Sequence, residues 1–286
     1  MDRQKTLHEG FAQARKITAK YAKTFYFASH FLPQSKKLAA YSIYAVCRAS
    51  DESVDAIPDI SGKQLLDIRH RIQSAYSDAQ LEDSLLLAFR QTIRDYDIPR
   101  IYFDELLSGM QMDLDKKTCD SFSELYSYCY RVAGVVGLIM LQVFGFRDSR
   151  AREFAIDLGI AMQLTNILRD IKEDLDRNRI YLPQEELRRF NVGLEQLQSE
   201  KIDANFIALM KYQISRARQY YKNSEKGFSL ITCPHCRFVA RAMKEMYCGI
   251  LDNIEQNNYD VFRHRAYVSL AKKIILLPKI LLKKAY

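Results

Sequence analysis

Two pairs of aspartates, each with its members four residues apart, are the groups in this 286-residue sequence best suited to chemistry. Asp51 and Asp55 lie in the stretch SDESVDAI, and Asp170 and Asp174 lie in NILRDIKEDLDRNRIYLPQ. Residues four apart on a helix project from one face, so the two carboxylates of each pair can bind the same ligand. Carboxylates held together in apolar surroundings repel each other and lose hydration, so such a pair needs a cation.

The neighbours of the second pair narrow the choice of cation. Gln163 and Asn166 precede Asp170 at spacings that place all of these side chains and Asp174 on one helical stripe. Zinc prefers His or Cys, and neither occurs here at ligand spacing, whereas oxygen donors suit magnesium. Magnesium keeps several waters and is often completed by substrate phosphates. Either pair alone could be a solvated surface, but two pairs in apolar helices predict a magnesium and phosphate site held from two sides.

Helices must position these groups. The apolar residues recur mostly at helical spacing, and glycine and proline number only 10 and 6. Short breaks such as FLPQS, IPDISG, FGFRDS and SLITCPH separate the helical stretches and are too short to link domains. The sequence therefore predicts an all-α protein, a single domain over residues 1–286 with about ten helices.

The charge balance indicates an anionic partner. Lys and Arg number 43 against 35 Asp and Glu, which gives a net charge of +8. Nucleic acid, an acidic membrane surface and a phosphorylated substrate all fit that excess. A helical nucleic-acid-binding protein is the alternative outside enzymes, but the basic residues are spread along the chain and the acid pairs would oppose a phosphate backbone. We therefore expect no nucleic-acid partner.

The cysteines and the two ends of the chain bear on location. Six cysteines are scattered, mostly in apolar helical surroundings, and the first residues lack the apolar centre of a signal peptide, so we expect a reduced, cytoplasmic protein. We expect no segment that is long and apolar enough to span a bilayer. The C-terminal AKKIILLPKILLKKAY could lie on a membrane surface or close the core. Cys233 and Cys236 have a metal or redox spacing, but without a second pair we expect incidental thiols.

Five motifs occur in order and span nearly the whole chain: YAKTFYFASHFLP, YAVCRASDESVD, YCYRVAGVVG, QLTNILRDIKEDLDRNRIYLPQ and NNYDVFRHRAYVSLAKK. Together they resemble the motifs of the squalene and phytoene synthase family. The family joins two allylic prenyl diphosphates head to head. The resemblance implies an all-α isoprenoid synthase fold with a central cavity, and two aspartate helices that face each other across its open end.

The resemblance also implies roles for individual residues. Two or three magnesium ions would be held, together with substrate diphosphate, by Asp51, Asp55, Asn166, Asp170 and Asp174. Tyr128 would lie near the reacting carbons, and it joins the four aspartates as a catalytic residue. Substrate would be contacted by Lys23, Phe25, Tyr41, Arg48, Gln163, Asn166, Arg169, Arg265 and Lys273. The aromatic residues Phe25, Phe27, Tyr41 and Tyr44 could either stabilise positive charge or pack in the core.

The chain departs from the family pattern in two places. Tyr21 and Ala22 replace a polar pair, so the resemblance implies no diphosphate contact from those two positions. Glu52 stands second in the first acidic motif, where the family has aspartate, but it points off the face shared by Asp51 and Asp55.

The reaction that the resemblance implies passes through a cyclopropylcarbinyl diphosphate to dehydrosqualene or phytoene, the first committed step of carotenoid biosynthesis. A squalene synthase would need a nicotinamide, and no glycine-rich turn between a strand and a helix exists here, because Gly134 and Gly137 lie inside a helical pattern. Presqualene diphosphate synthase, chain-elongating prenyl synthases and terpene cyclases remain alternatives. The choice between farnesyl and geranylgeranyl diphosphate stays open, with pocket depth expected to depend on Ser29 and Tyr41.

Overall fold

The computed structural model describes the backbone of residues 3–54 and 58–282 and the side chains of residues 4–51 and 62–280. Over this part of the chain there are fifteen α-helices, one π-helical turn and no β-strand beyond two isolated bridges. The helices are α1 Arg3–Tyr21, α2 Lys23–Ser29, α3 Gln34–Val54, α4 Pro58–Tyr76, α5 Ser84–Asp95, α6 Arg100–Asp115, α7 Phe122–Cys129, α8 Val135–Phe144, α9 Ala151–Arg169, α10 Ile171–Asp176, α11 Gln184–Arg189, α12 Leu194–Gln198, α13 Ala204–Phe228, α14 Pro234–Gln256 and α15 Leu270–Leu282; the π-turn is Tyr130–Gly134, between α7 and α8.

Several helix starts follow from the sequence. The Asp83 side chain accepts a hydrogen bond from the Leu86 amide at the start of α5, and Asp203 accepts two from the first amides of α13. Such side-chain caps satisfy amides that have no partner within the helix. At the start of α14 the Cys233 sulfur accepts from the Cys236 amide, and Pro234 occupies the first turn. The CPHC motif is thus a helix cap.

Helix α9 is the central element. It packs against α13, α14, α8 and the π-turn, while α3 packs against α1, α4, α5 and α6. Two large apolar clusters result, one built mainly from α3 to α8 and one mainly from α9, α13 and α14. A central cavity is lined by residues of both clusters.

The structure differs from the sequence-based expectation in helix number, since about ten helices were expected. The extra elements are short: α10, α11 and α12 have six, six and five residues. The stripe that carries the second acid pair is also not one unbroken helix, because α9 ends at Arg169 and Asp170 has φ −105° and ψ 19°. Hydrogen bonds from the Asp170 amide to Asn166 O (2.8 Å) and from the Asp174 amide to Asp170 O (2.9 Å) preserve the stripe across this break.

The expectation that no segment has the length and apolar composition needed to span a bilayer is wrong for residues Phe122–Phe144. These residues, α7 through α8, form one helical run long and apolar enough to cross a membrane by length and composition. About half of its most apolar stretch is buried inside the protein, and the run packs against α6 and α9. Its apolar character is therefore accounted for by its place in the core.

Candidate active site

A central cavity of about 1250 Å³ runs along α9. Its lining follows that helix at every turn from Ala151 to Arg169. At roughly 1.5 Å per residue, this stretch is about 27 Å long. The end near Ala151 is apolar, lined by residues such as Phe144, Phe154 and Phe228, and the end near Arg169 is polar and charged.

The first aspartate motif forms one wall of the charged end. Arg48 and Asp51 of α3 line the cavity, as do Lys23 and Phe25 of α2. The Arg48 guanidinium lies 4.7 Å from the centroid of the Tyr21 ring. Tyr21 thus takes part in the site through a cation and aromatic contact, although it replaces a polar family residue.

The second aspartate motif forms the facing wall, where Gln163, Asn166, Asp170 and Asp174 all line the cavity. Arg169 Nε donates to Asp170 Oδ1 at 2.7 Å, and Arg169 Nη2 donates to the second carboxylate oxygen, Oδ2. Arg265 also donates to Asp170 at 3.0 Å. The structure therefore brings both acidic motifs and their arginines to one cavity.

Electrostatics on the second wall favour a bound cation. Burial raises the pKa of Asp174 to about 7, and the neighbouring Asp170 carboxylate adds to the shift. The side-chain oxygen of Asn166 is buried without a hydrogen-bond partner among the described residues, while its nitrogen donates to Gln163 at 3.3 Å. Two crowded carboxylates and an orphaned amide oxygen fit an oxygen-ligated divalent cation.

This wall does not form a complete protein cage for a metal. Over residues 4–51 and 62–280, no three His, Cys, Asp or Glu side chains converge on one point. A divalent cation here would therefore take its remaining ligands from water and from a bound phosphate, which is the arrangement that magnesium favours.

The charged end also holds a pair of lysines. Lys273, only 9% exposed, has its pKa lowered by burial and by the nearby charge of Lys23. Lys23 itself is exposed, and an anion bound beside the two lysines would offset their repulsion. Arg177 and Arg179 line the same end beside Asp174 and lower its pKa. These cations can receive diphosphate groups.

The central motif places Tyr128 in the middle of the cavity wall. Its hydroxyl donates to the Asp113 carboxylate at 3.1 Å, and the Tyr181 hydroxyl donates to the same carboxylate at 2.7 Å. All three residues line the cavity. The π-turn follows directly and contributes Val132 and Ala133 to the lining; such turns are frequent at functional sites.

One residue predicted to contact substrate lies away from the cavity. Tyr41 is absent from the cavity lining, because its ring is buried against Tyr26 and its hydroxyl pairs with Ser29 at 2.8 Å. The expected substrate contact of Tyr41, and the dependence of pocket depth on Ser29 and Tyr41, are therefore not supported. Asp55 lies outside the described residues. Phe27 packs near α14 and α15, whereas Tyr44 lines the cavity.

Sequence reasoning missed several lining residues. Asp113 follows Phe103, Leu106 and Met110 on the buried stripe of α6, so an acid at an apolar position was the available signal. Arg177, Arg179 and Tyr181 stand inside the second motif, after the stripe ends. Tyr247, on α14, reaches the site only through the tertiary fold.

Comparison with known proteins supports this picture. A family model described as squalene/phytoene synthase matches residues 18–272. The chain is 40% identical to the 15-cis-phytoene synthase of Synechococcus elongatus, covering 97% of this chain and 94% of that protein. The structure resembles a dehydrosqualene synthase crystallised with a ligand (TM-score 0.91, 30% identity, 98% of each chain) and, in fold, a squalene synthase from Alicyclobacillus acidocaldarius (TM-score 0.82, 24% identity, 89% of this chain and 96% of that one).

Proposed function

Because the chain belongs to the squalene/phytoene synthase family, we propose that it joins two molecules of geranylgeranyl diphosphate head to head to give phytoene. The choice of the twenty-carbon substrate rests on the phytoene synthases among its relatives at 37 to 40% identity. The reaction would pass through a cyclopropylcarbinyl diphosphate, and each half of it would release one diphosphate and one proton.

The observation that carries the proposal is the layout of the central cavity. Carboxylates, arginines and lysines gather at one end, and the other end is apolar along the first turns of α9. A prenyl diphosphate has the same layout, with a charged head and a long apolar tail. The cavity therefore suits such a substrate better than nucleic acid or a small polar metabolite.

Magnesium would be held by Asp170, Asp174 and Asn166 on one wall and by Asp51 on the other. When bound, it would neutralise charge that builds up on the departing diphosphate. The crowding of Asp170 and Asp174 and the orphaned Asn166 oxygen support this assignment.

The side chains of the protein would do the rest. Lys23, Lys273 and Arg48 would bind and orient diphosphate oxygens, since preorganised cations stabilise a leaving group in a site shielded from water. Apolar lining residues such as Leu158 and Met162 would keep water from the carbocation. The ring of Phe25 would offer a π-face to positive charge.

A product with a central double bond is proposed rather than squalene, so no nicotinamide is expected. The test incubates purified protein and magnesium with geranylgeranyl or farnesyl diphosphate, with and without NADPH, and identifies the hydrocarbon by mass spectrometry. The proposal expects phytoene whether or not NADPH is added. If only farnesyl diphosphate reacts and the product is dehydrosqualene, the proposed substrate is wrong. If squalene forms and only when NADPH is present, the proposed reaction is wrong.

We also propose that the protein works at the cytoplasmic face of a membrane, which helix α15 would contact. One face of this helix packs in the protein, where Ile280 is 3% exposed. Its other face exposes Leu270, Ile274 and Ile275 by 53 to 61%. Lys272 and Lys279 on the same helix suit anionic lipid headgroups.

The position of α15 next to the cavity also supports a membrane contact. Tyr267, 70% exposed and just before α15, lines the open end of the cavity, so the apolar patch adjoins the route by which a hydrocarbon could leave. The wild type should sediment together with vesicles that contain anionic phospholipid. A variant carrying Ile274→Glu and Ile275→Glu should instead stay in the supernatant. Leu194→Glu, at a comparably exposed position on α12, is the matched control. Equal sedimentation of all three proteins would overturn the membrane contact.

A further inference from the structure

Asp113 is a carboxylate in the cavity wall that belongs to neither aspartate motif. It is 9% exposed and lies in the last turn of α6. An anion at the C-terminal end of a helix is disfavoured by the helix dipole, and a buried carboxylate is costly unless it is hydrogen-bonded. Helix stability therefore gives no reason for an acid at this position.

The partners of Asp113 point to a specific arrangement. Tyr128 donates to one carboxylate oxygen and Tyr181 to the other, at 3.1 and 2.7 Å. The two rings stack with their centroids 4.9 Å apart and their planes 19° apart. An ionised carboxylate can only accept hydrogen bonds, and a phenol has a single proton, so both protons are directed at Asp113.

Both phenols keep their protons. Burial raises the pKa of Tyr128 well above its usual value, and the charge of Asp113 adds to the shift. Burial and Asp113 likewise raise the pKa of Tyr181. Each tyrosine is therefore a neutral dipole whose positive end is held at the carboxylate.

On the premise of the proposed function, we propose that Asp113 is a positioning residue that holds the O–H bonds of Tyr128 and Tyr181 away from the substrate. The lone pairs left on the two phenol oxygens then remain for the positive charge that arises in the cavity. Dipoles fixed in advance stabilise a cation without reorganising during the reaction. A phenol proton turned toward the cavity would instead repel it.

The direct test is Asp113→Asn, which keeps the shape of the side chain. An amide can accept from one phenol through its oxygen, but its nitrogen must donate to the other, so one hydrogen bond reverses. The matched control is Asp115→Asn in the same turn, where the side chain is exposed and accepts from Gln111 at 2.8 Å. Both variants are assayed with geranylgeranyl diphosphate and magnesium, beside the wild type.

The positioning role predicts a particular kinetic pattern. For Asp113→Asn, kcat should fall about 100-fold while KM stays within about twofold, because the interaction matters only when charge develops. The products should shift toward alcohols formed by water capture and toward the unrearranged intermediate. Asp115→Asn should match the wild type. A purely structural role would lower the melting temperature without changing the ratio of products.

A second variant covers the case in which Asp113→Asn does not fold. Tyr181→Phe keeps the ring and removes one donor, and its kcat should fall about tenfold with the same shift in products. If the wild type is active and the folded variants have the same kcat and the same products as the wild type, this inference alone is overturned. A wild type that makes no head-to-head product from either prenyl diphosphate would overturn the proposed function, and this inference with it.

Discussion

At the scale of single residues, Asp170 has the most demanding position. It is held by Arg169 and Arg265 and crowds Asp174. We predict that Asp170→Ala lowers turnover at least about 100-fold, because the proposed cation ligand and an anchor for two arginines are lost together. Turnover of a prenyl diphosphate and a thermal melt should be measured on the same preparation.

The control for Asp170→Ala is Asp176→Ala. Asp176 is exposed, lies six residues further along the chain, and pairs only with Lys172 among the described residues, at 2.9 Å. It should keep wild-type turnover. Equal turnover in the two variants would show that the acid stripe is not part of the catalytic site.

The raised pKa of Asp157 leads us to predict a pH dependence of folding stability that is separate from catalysis. Burial raises its pKa to about 6, and Glu153 adds to the shift. The folded state therefore holds this proton more tightly than the unfolded chain, and the resulting stabilisation is present below about pH 4 and lost as pH rises through about 6. Asp157→Asn should gain about 1 kcal/mol in unfolding free energy relative to the wild type between about pH 4 and pH 7.

Urea unfolding at both pH values measures this gain, and Asp148→Asn supplies a control of opposite sign. Hydrogen bonds from Arg150 lower the pKa of Asp148 to about 2, so its stabilisation is present above about pH 4. The Asp148 variant should therefore be less stable than the wild type at both pH values, with little change between them. A flat difference for Asp157→Asn would contradict the raised pKa.

The sequence predicted the placement of the second acid stripe but not of every site residue. Gln163, Asn166, Asp170 and Asp174 line the cavity because helical spacing fixes which residues share a face. Spacing could not show that the Tyr41 side of α3 turns toward α1 and α5 and away from the cavity. That depends on helix packing, which local sequence does not encode.

At the scale of helices, the long elements were predictable and the breaks were not. The apolar period shows that a helix runs to Arg169, but the interruption at Asp170 costs no backbone hydrogen bond there and leaves no proline or glycine as a signal. The π-turn at Tyr130–Gly134 was also not predictable, because a turn with one extra residue requires no particular amino-acid composition.

Close contact between α9 and the π-turn yields a prediction at this scale. A Cβ on Gly159 would lie 2.3 Å from the Ala133 carbonyl oxygen, so Gly159→Ala must push backbone apart. We expect a loss of about 1 to 3 kcal/mol in unfolding free energy and lower turnover, because Ala133 lines the cavity. Chemical denaturation measures the first and a prenyl diphosphate assay the second.

Gly62→Ala in α4 is the matched substitution. Among the described residues, no atom other than the adjoining backbone of α4 lies within 4 Å of a Cβ built there, so the variant should gain about 0.5 to 1 kcal/mol from helix propensity. If Gly159→Ala behaved like Gly62→Ala, the close approach of the helices would be refuted.

At the scale of the whole molecule, the arrangement of charge matters more than its sum. The net charge of +8 indicated an anionic partner without naming one. The fold gathers Lys23, Lys273, Arg177 and Arg179 at one end of the cavity, which makes diphosphate the fitting anion. Sequence composition could not reveal this, because these residues lie up to 250 positions apart (273 minus 23).

The central claim is that a prenyl diphosphate binds this cavity together with divalent cations held by facing acid stripes. The most direct measurement is calorimetric titration of the wild-type protein with an unreactive thio-analogue of geranylgeranyl diphosphate, with magnesium and with EDTA. The account predicts that magnesium tightens binding at least about tenfold, since the site is completed only when cation and diphosphate are both present. Equal affinity under the two conditions would contradict it.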